Sequence, residues 1–338
     1  MKIFRSVSKV SFWFVEGNRK PALGLSVVGL MLAILLATQP VLACDICAVY
    51  SQTEAQGGTG KGFYAGTAEQ FTHIGTLQED GQKVDNTVGQ RIVSSVSQIF
   101  AGYNFNDRFG LQLNLPVIYR SYIRPRGSEI EHGSVSGIGD LSLLGKYTVY
   151  QRTRKESTIS LAVLGGLKLP TGDASRLAEP EVENEEPLPE SGIAGHDLAL
   201  GSGSVDGIIG GTFSVRWEHL FVNGGVQYAI RTEGSYGHQY ANDLTWSGGP
   251  GYYFALREDY TLSLQVLASG EAKGKDSFHG VKDEDSAATI VYFGPQLNFS
   301  WTDKLSVQAG LDLPVSIDNT GLQAVPDYRV HAAVTWKF

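Results

Sequence analysis

Twelve stretches of this chain alternate apolar with polar residues, and the connections between them alternate short with long. Successive side chains on a strand point to opposite faces, so a period of two gathers the apolar residues on one side. Phe109, Leu111, Leu113, Leu115, Val117 and Tyr119 share a face opposite Gln112 and Asn114. Leu262, Leu264 and Val266 oppose Ser263 and Gln265, and Leu305, Val307, Leu311 and Leu313 oppose Ser306, Gln308 and Asp312. The strands are expected near 63–75, 88–105, 108–122, 136–150, 157–170, 198–204 running on into 207–217, 220–231, 240–255, 260–271, 287–301, 304–313 and 327–338. Short turns fall at 106–107, 151–156, 218–219, 256–259 and 302–303; long connections fall at 76–87, 123–135, 171–197, 232–239, 272–286 and 314–326. Alternation alone does not separate a soluble barrel from a membrane barrel, but the sorting of connections does. Outer-membrane barrels have short periplasmic turns and long outer loops.

Composition agrees with strands in a membrane. Charged residues make up 18% of the 338 residues, below the roughly 25% usual for soluble domains. A net charge of -8, with no basic cluster beyond the N-terminus, argues against a nucleic-acid partner. Only one run, near the N-terminus, is apolar enough to span as a helix, which excludes a polytopic helical protein.

That run belongs to an expected signal peptide over 1–43. Lys2, Arg5, Lys9, Arg19 and Lys20 form a basic leader, 22–37 is apolar, and Val41, Leu42 and Ala43 precede the cleavage point. An uncleaved anchor is the alternative. The segment 44–62 reads as a periplasmic lead-in, rich in Gly, Ser, Thr and Gln from 51. It holds the only cysteines, Cys44 and Cys47. A disulfide or free dithiol is the first reading, and a lipid on Cys44 the second. A c-type haem is disfavoured because Ala48 stands where histidine is needed, and zinc would lack ligands. No cofactor or metal is expected.

The last strand sharpens the barrel reading. Tyr328, Val330, Ala332, Val334, Trp336 and Phe338 form one face, and Arg329, His331, Ala333, Thr335 and Lys337 the other. Trp336 and Phe338 are expected to act as the signal read by the barrel-assembly machinery. The strand should pair with 63–75, since an open edge in lipid leaves backbone groups unsatisfied. Tyr103, Phe105, Phe109, Trp217, Phe221, Tyr252, Tyr253, Phe254, Tyr260, Phe299, Trp301, Trp336 and Phe338 cluster at short-turn ends. Tyr119, Tyr122, Tyr228, Tyr236, Tyr240 and Tyr328 lie toward long-loop ends. Two such girdles suit a barrel spanning lipid and lipopolysaccharide.

Three internal stretches carry a resemblance. They are Gly137-Ile-Gly-Asp-Leu-Ser-Leu-Leu-Gly-Lys-Tyr147, Gly166-Leu-Lys-Leu-Pro-Thr-Gly-Asp173 and Leu200-Gly-Ser-Gly-Ser-Val-Asp-Gly-Ile-Ile-Gly-Gly211, preceded by Leu115-Pro-Val-Ile-Tyr119. Their order and spacing resemble the outer-membrane barrels of the phenol-degradation MetA-pathway family, often labelled transporters. Over residues 90–338, the resemblance implies an outer-membrane barrel that passes small, often hydrophobic, molecules.

With apolar positions toward lipid, Asp140, Lys146, Lys168, Asp206, Arg216, Asp312, Arg329 and His331 should face the lumen. They either fill a narrow barrel as paired charges or line a pore that sets charge preference. A connection with Glu179, Glu181, Glu183, Glu185, Glu186 and Glu190 among three prolines reads as a solvated, disordered outer loop. The histidines lie mostly in loops or turns, and no Gly-x-Ser-x-Gly elbow occurs on a strand-to-helix turn, so no catalytic residues are expected. The sequence therefore predicts an all-β, twelve-strand antiparallel barrel over 63–338 in the bacterial outer membrane. Its expected role is a passive channel for small molecules, hydrophobic or aromatic ones included. The alternative is a non-transport barrel that displays loops or anchors a periplasmic redox partner through Cys44 and Cys47.

Overall fold

The computed structural model describes residues 60–180 and 184–338. The expected signal peptide, Cys44 and Cys47 lie outside the described residues, as does nearly all of the lead-in. The chain begins with β1 (Gly62–Glu79), the short β2 (Gln82–Val84), β3 (Arg91–Asn104), β4 (Phe109–Arg126) and β5 (Glu129–Ile138). It continues through β6 (Leu141–Thr153), β7 (Ser157–Leu169), β8 (Asp206–Trp217), β9 (Leu220–Ile230), the two-residue β10 (His238–Gln239) and β11 (Asp243–Leu256). Next come β12 (Tyr260–Lys273), the short β13 (Ser277–Phe278) and β14 (Val281–Lys282), then β15 (Ala288–Trp301), β16 (Leu305–Asn319) and β17 (Leu322–Lys337).

Twelve of these strands form one antiparallel sheet in the order β17-β16-β15-β12-β11-β9-β8-β7-β6-β4-β3-β1. The sheet closes on itself where β1 pairs with β17, from Tyr64 opposite Lys337 to Glu79 opposite Leu322. Closure leaves no barrel edge in lipid, which is the condition for strands to span a membrane. The orientation of the faces decides what kind of barrel this is. Leu113, Leu143, Val163, Ile209, Phe293, Leu297 and Leu313 are exposed on the outside. Gln70, Gln98, Gln112, Asn114, Gln265, Gln296 and Arg329 are buried inside. A soluble barrel would be the reverse, so this is a membrane barrel with a polar interior.

Several boundaries depart from the sequence expectation. The connections at 76–87, 123–135 and 314–326 are not long loops. β1, β4 and β16 continue as hairpins that turn at Gly81, Gly127 and Gly321, each with positive φ. Pro314 and Pro326 masked this continuation, because proline cannot donate to a ladder. Both sit at register shifts where the ladder is already interrupted. The segment 198–204 is not strand, and β8 begins only at Asp206. Its Gly and Ser residues fold inward instead.

The girdles are also narrower than expected. Phe63, Phe105, Trp217, Phe254, Trp301, Trp336 and Phe338 are exposed at the short-turn end. Phe221 and Tyr122, however, are buried and point into the barrel. Each lies out of phase with its exposed neighbours, Leu220 and Val222 for the first and Tyr119 for the second.

Candidate functional site

The lumen is the candidate site, and it has three layers. The outermost layer is formed by the connection between β7 and β8. This segment folds back inside the barrel. Ile193 and Leu198 are buried against Ile74, Ile92 and Tyr122, which face inward from β1, β3 and β4. Gln90 holds the segment by donating to the Glu190 carbonyl at 2.8 Å and accepting from the Gly192 amide at 2.9 Å. The Ala324 amide donates to the Gly192 carbonyl at 2.8 Å. Arg120 donates to the carbonyls of Asp197 (3.1 Å) and Ala199 (2.7 Å) at the end of the short helix Gly195–Leu198.

Glu179 departs from the expectation of a solvated acidic loop, whereas Glu185, Glu186 and Glu190 are exposed. Its carboxylate accepts from Arg124 at 2.7 Å, from Arg126 at 2.6 Å and from Arg176. Partial burial works to raise this carboxyl, yet the arginines outweigh it and hold it at about 2. Arg124 also pairs with Glu131 at 2.9 Å, and its guanidinium lies over the Tyr122 ring. A second contact joins the loops. The rings of His196 and His238 stack at 5.8 Å, and His238 faces Asp276, which Lys273 contacts at 2.7 Å. Burial opposes charge on His196, but Asp197 beside it raises its pKa above the usual histidine value.

The middle layer holds most of the residues the alternation placed inside. Lys168 lies between Asp140 (2.6 Å) and Asp206 (2.8 Å). Arg231 joins Asp206 (3.0 Å) to Asp243 (2.8 Å). Ser202 donates to Asp140 at 2.7 Å and Ser204 to Asp206 at 2.8 Å. Across the lumen, Arg329 pairs with Glu271 at 2.5 Å and Asp312 at 3.0 Å, and lies 4.0 Å from the Tyr292 ring centroid. His331 reaches Asp312 at 3.3 Å. Asp140, Lys168 and Asp206 thus form one network, and Asp312, Arg329 and His331 another. Lys146 and Arg216 lie outside both. Arg216 sits near the short-turn end, donating to the Glu218 carbonyl (3.0 Å) and Thr158 hydroxyl (3.3 Å). Paired charges of this kind favour a filled middle over open carboxylates that select by sign.

Glu271, Asp243 and Arg231, which complete these networks, and Arg120, which holds the inward-folded segment, escaped the sequence reading. The signal was present for two of them: Glu271 is in phase with Ser263 and Gln265, and Arg120 with Gln112 and Asn114.

The third layer, toward the short turns, contains a cavity of about 250 Å³. It is walled by β9, β11, β12, β15, β16 and β17, with amide and hydroxyl side chains and no charged residue.

The wall itself has one irregularity. β5 pairs with the outer half of β4, from Val117 opposite Ile138 to Arg126 opposite Glu129. β6 pairs with the inner half of β4 and with β7. β7 stops at Leu169, so among the described residues β5 has no second neighbour. The break at Gly139 and Asp140 is backed from inside by 198–204. A Cβ on Gly139 would lie 3.2 Å from the Leu200 carbonyl oxygen, and one on Gly172 2.8 Å from the Gly201 Cα. The three stretches that carried the family resemblance meet here: Asp140 from the first, Lys168, Thr171 and Gly172 from the second, and Gly201, Ser202 and Asp206 from the third.

A closed antiparallel barrel, apolar outside and polar within, defines this chain as an outer-membrane β-barrel. No model of a known protein family matches it, and no curated protein matches it. Among solved structures it is similar to an outer membrane channel from Pseudomonas putida F1, at 18% identity and TM-score 0.60, covering 89% of this chain and 100% of that one. It also matches the β domain of the Bordetella autotransporter BrkA, at 11% identity and TM-score 0.44, covering 82% and 100%. The P. putida likeness concerns the fold.

Proposed function

We propose that this protein is an outer-membrane channel for gradient-driven passage of small molecules, hydrophobic and aromatic ones included. The observation that carries this reading is the break in the wall between β5 and β7. The outer mouth is closed by a packed loop and the middle by paired charges, so a straight aqueous route is obstructed. The break offers a sideways route between lumen and lipid. It is backed by Leu198, Ala199 and Leu200, all buried, and apolar backing suits an apolar solute. The resemblance of the stretches around the break to the MetA-pathway family supports the same solute class. The lipids and lipopolysaccharide around the barrel, and the assembly machinery reading Trp336 and Phe338, are partners in the same proposal.

The test is uptake into liposomes holding the refolded barrel, with single-channel recording in parallel. Small neutral aromatic solutes should enter faster than charged solutes of the same size. Gly172→Val, which forces 198–204 away from the break, should change aromatic uptake more than ion conductance. Absence of both solute flux and conductance in the unmodified protein would sink the channel reading.

A further inference from the structure

The charge-free cavity at the short-turn end is the part of the lumen whose chemistry the networks above leave unexplained. Its amides are Asn223, Gln265, Gln296, Asn298 and Gln308, with Ser and Thr hydroxyls between them. Their orientations follow from their bonds. Gln265 donates from Nε2 to the Gly249 carbonyl at 3.1 Å, and a carbonyl can only accept. The same Nε2 donates to Asn223 Oδ1 at 2.5 Å, which fixes the Asn223 oxygen toward Gln265 and its NH2 group away. Gln296 Nε2 likewise donates to Asn298 Oδ1 at 2.7 Å, turning the Asn298 NH2 away. Gln265 spends its NH2 group on Gly249 and Asn223, and its Oε1 is fully buried, so it positions Asn223 rather than facing a guest.

The cavity also has an apolar platform. The rings of Phe221 and Tyr253 lie 4.8 Å apart at an interplanar angle of 48° and both contribute to its lining. Leu267 and Ala333 are buried in the same lining.

We propose that this cavity binds one uncharged, hydroxyl-bearing ring molecule, seated on Phe221 and Tyr253 and hydrogen-bonded by Asn223 and Asn298. A hydroxyl both donates and accepts, so it can accept from an amide NH2 and donate to a Ser or Thr hydroxyl of the same lining. An ion would enter with no counter-charge in the lining and would lose hydration without recompense. Aromatic faces suit either the C–H face of a sugar ring or a flat aromatic ring. This names a solute class for the lumen and rests on the channel reading for its physiological meaning, although binding can be measured without flux.

The test uses the full chain refolded in detergent and two matched pairs of probes: D-glucose with D-glucuronate, and benzyl alcohol with benzoate. Saturable binding is measured by calorimetry and by saturation-transfer NMR. The Asn298→Leu barrel serves as the reference for partition into micelles. At least one neutral probe should bind saturably, and its charged counterpart should bind at least about tenfold more weakly. Glucose and benzyl alcohol separate the sugar from the aromatic source. Asn298→Leu should weaken the neutral probe about tenfold, while Leu297→Ile, on the outer face beside it, should leave binding unchanged. Heat-modified mobility on gels shows that each variant has folded; if Asn298→Leu does not fold, Asn298→Ser carries the comparison. No saturable neutral binding, or equal binding of a charged partner, overturns the proposal. Conductance without binding would overturn it and leave the channel reading standing; binding without flux would do the reverse.

Discussion

Lys168 donates to the Asp140 carboxylate at 2.6 Å, and Asp140 is one of the two residues that separate β5 from β6. The ion pair therefore sits at the break in the wall and ties it to β7. Its partners Ser202 and Asp206 draw in the inward-folded segment and the start of β8. One lysine thus holds together the three stretches that meet there.

Lys168→Met should leave Asp140 and Asp206 buried with only part of their compensation. Removing one member of a buried pair costs about 3 kcal/mol or more. Asp140 retains bonds from Ser202 and the Gly172 amide, and Asp206 retains Arg231, so the lower end is expected. Urea unfolding in detergent micelles should show the loss. Lys168→Met combined with Asp140→Asn should recover part of it, because one orphaned charge is gone. If the double variant is no more stable than the single one, the two residues are not coupled.

Arg329 offers a sharper version of the same argument. It is fully buried and shared by Glu271 and Asp312. Arg329→Met takes the shared arginine from two buried carboxylates, Asp312 keeping His331, and should cost about 3–5 kcal/mol. Adding Glu271→Met should be less damaging than Arg329→Met alone, with a coupling of about 1–3 kcal/mol in a double-mutant cycle. Denaturant midpoints of the four proteins measure it; additive effects would show that the pair is not a unit.

These networks show what the sequence could and could not reveal. Barrel closure, the inward phase of Arg329 and Asp312 and the lipid-facing Val330 and Val334 were legible, because a period of two assigns each residue a face. The pairing of Lys168 with Asp140, or of Arg329 with Glu271, was not legible. It depends on which strands lie across the lumen and how their registers slide. The inward fold of 184–204 was hidden for another reason. The glutamates and prolines of 179–190 look like a solvated loop, and only the arginines at 124, 126 and 176, two of them on a distant strand, turn Glu179 into a half-buried anchor. Phe221 and Tyr253 were assigned to a girdle by their position along the strand rather than by phase, and phase proved decisive.

Loop docking should respond to pH at both ends of the scale. The Glu179 carboxyl is held at about 2, below its unfolded value of 4.5. A depressed carboxyl contributes stability that is present above the unfolded value and lost as pH falls through the folded one. This anchor should persist at pH 5 and fade between about 4.5 and 2. His196 has the opposite sign. Its pKa is raised above 6.5, so its contribution is full below pH 6.5 and is lost as pH rises through the folded-state value. Single-channel current noise should therefore be lowest in mildly acidic buffer and increase on either side. Glu179→Gln should remove the acid limb alone, and His196→Gln the alkaline limb alone. A noise profile with the same two limbs in both variants would rule these groups out as its source.

Gly192 gives the most direct test of whether the inward-folded segment closes the outer mouth. A Cβ there would lie 3.1 Å from the Ala324 amide nitrogen, 3.1 Å from the Gln323 carbonyl carbon and 2.8 Å from a Leu77 methyl. Two of these are backbone atoms of β17, which the closed barrel cannot shift. Valine at this position must therefore displace the segment instead. That would break the Ala324 to Gly192 hydrogen bond and expose Ile193 and Leu198, two members of the buried cluster against β1, β3 and β4. The barrel strands keep their ladder, so Gly192→Val should still refold and show heat-modified mobility. Its conductance should rise severalfold over the unmodified protein, and protease added from outside should cut within 184–199 where the native loop resists. An unchanged conductance with a cut loop would place the constriction lower, in the charged layer around Lys168 and Arg329, and Gly192→Val combined with Arg329→Met would then be the variant that opens.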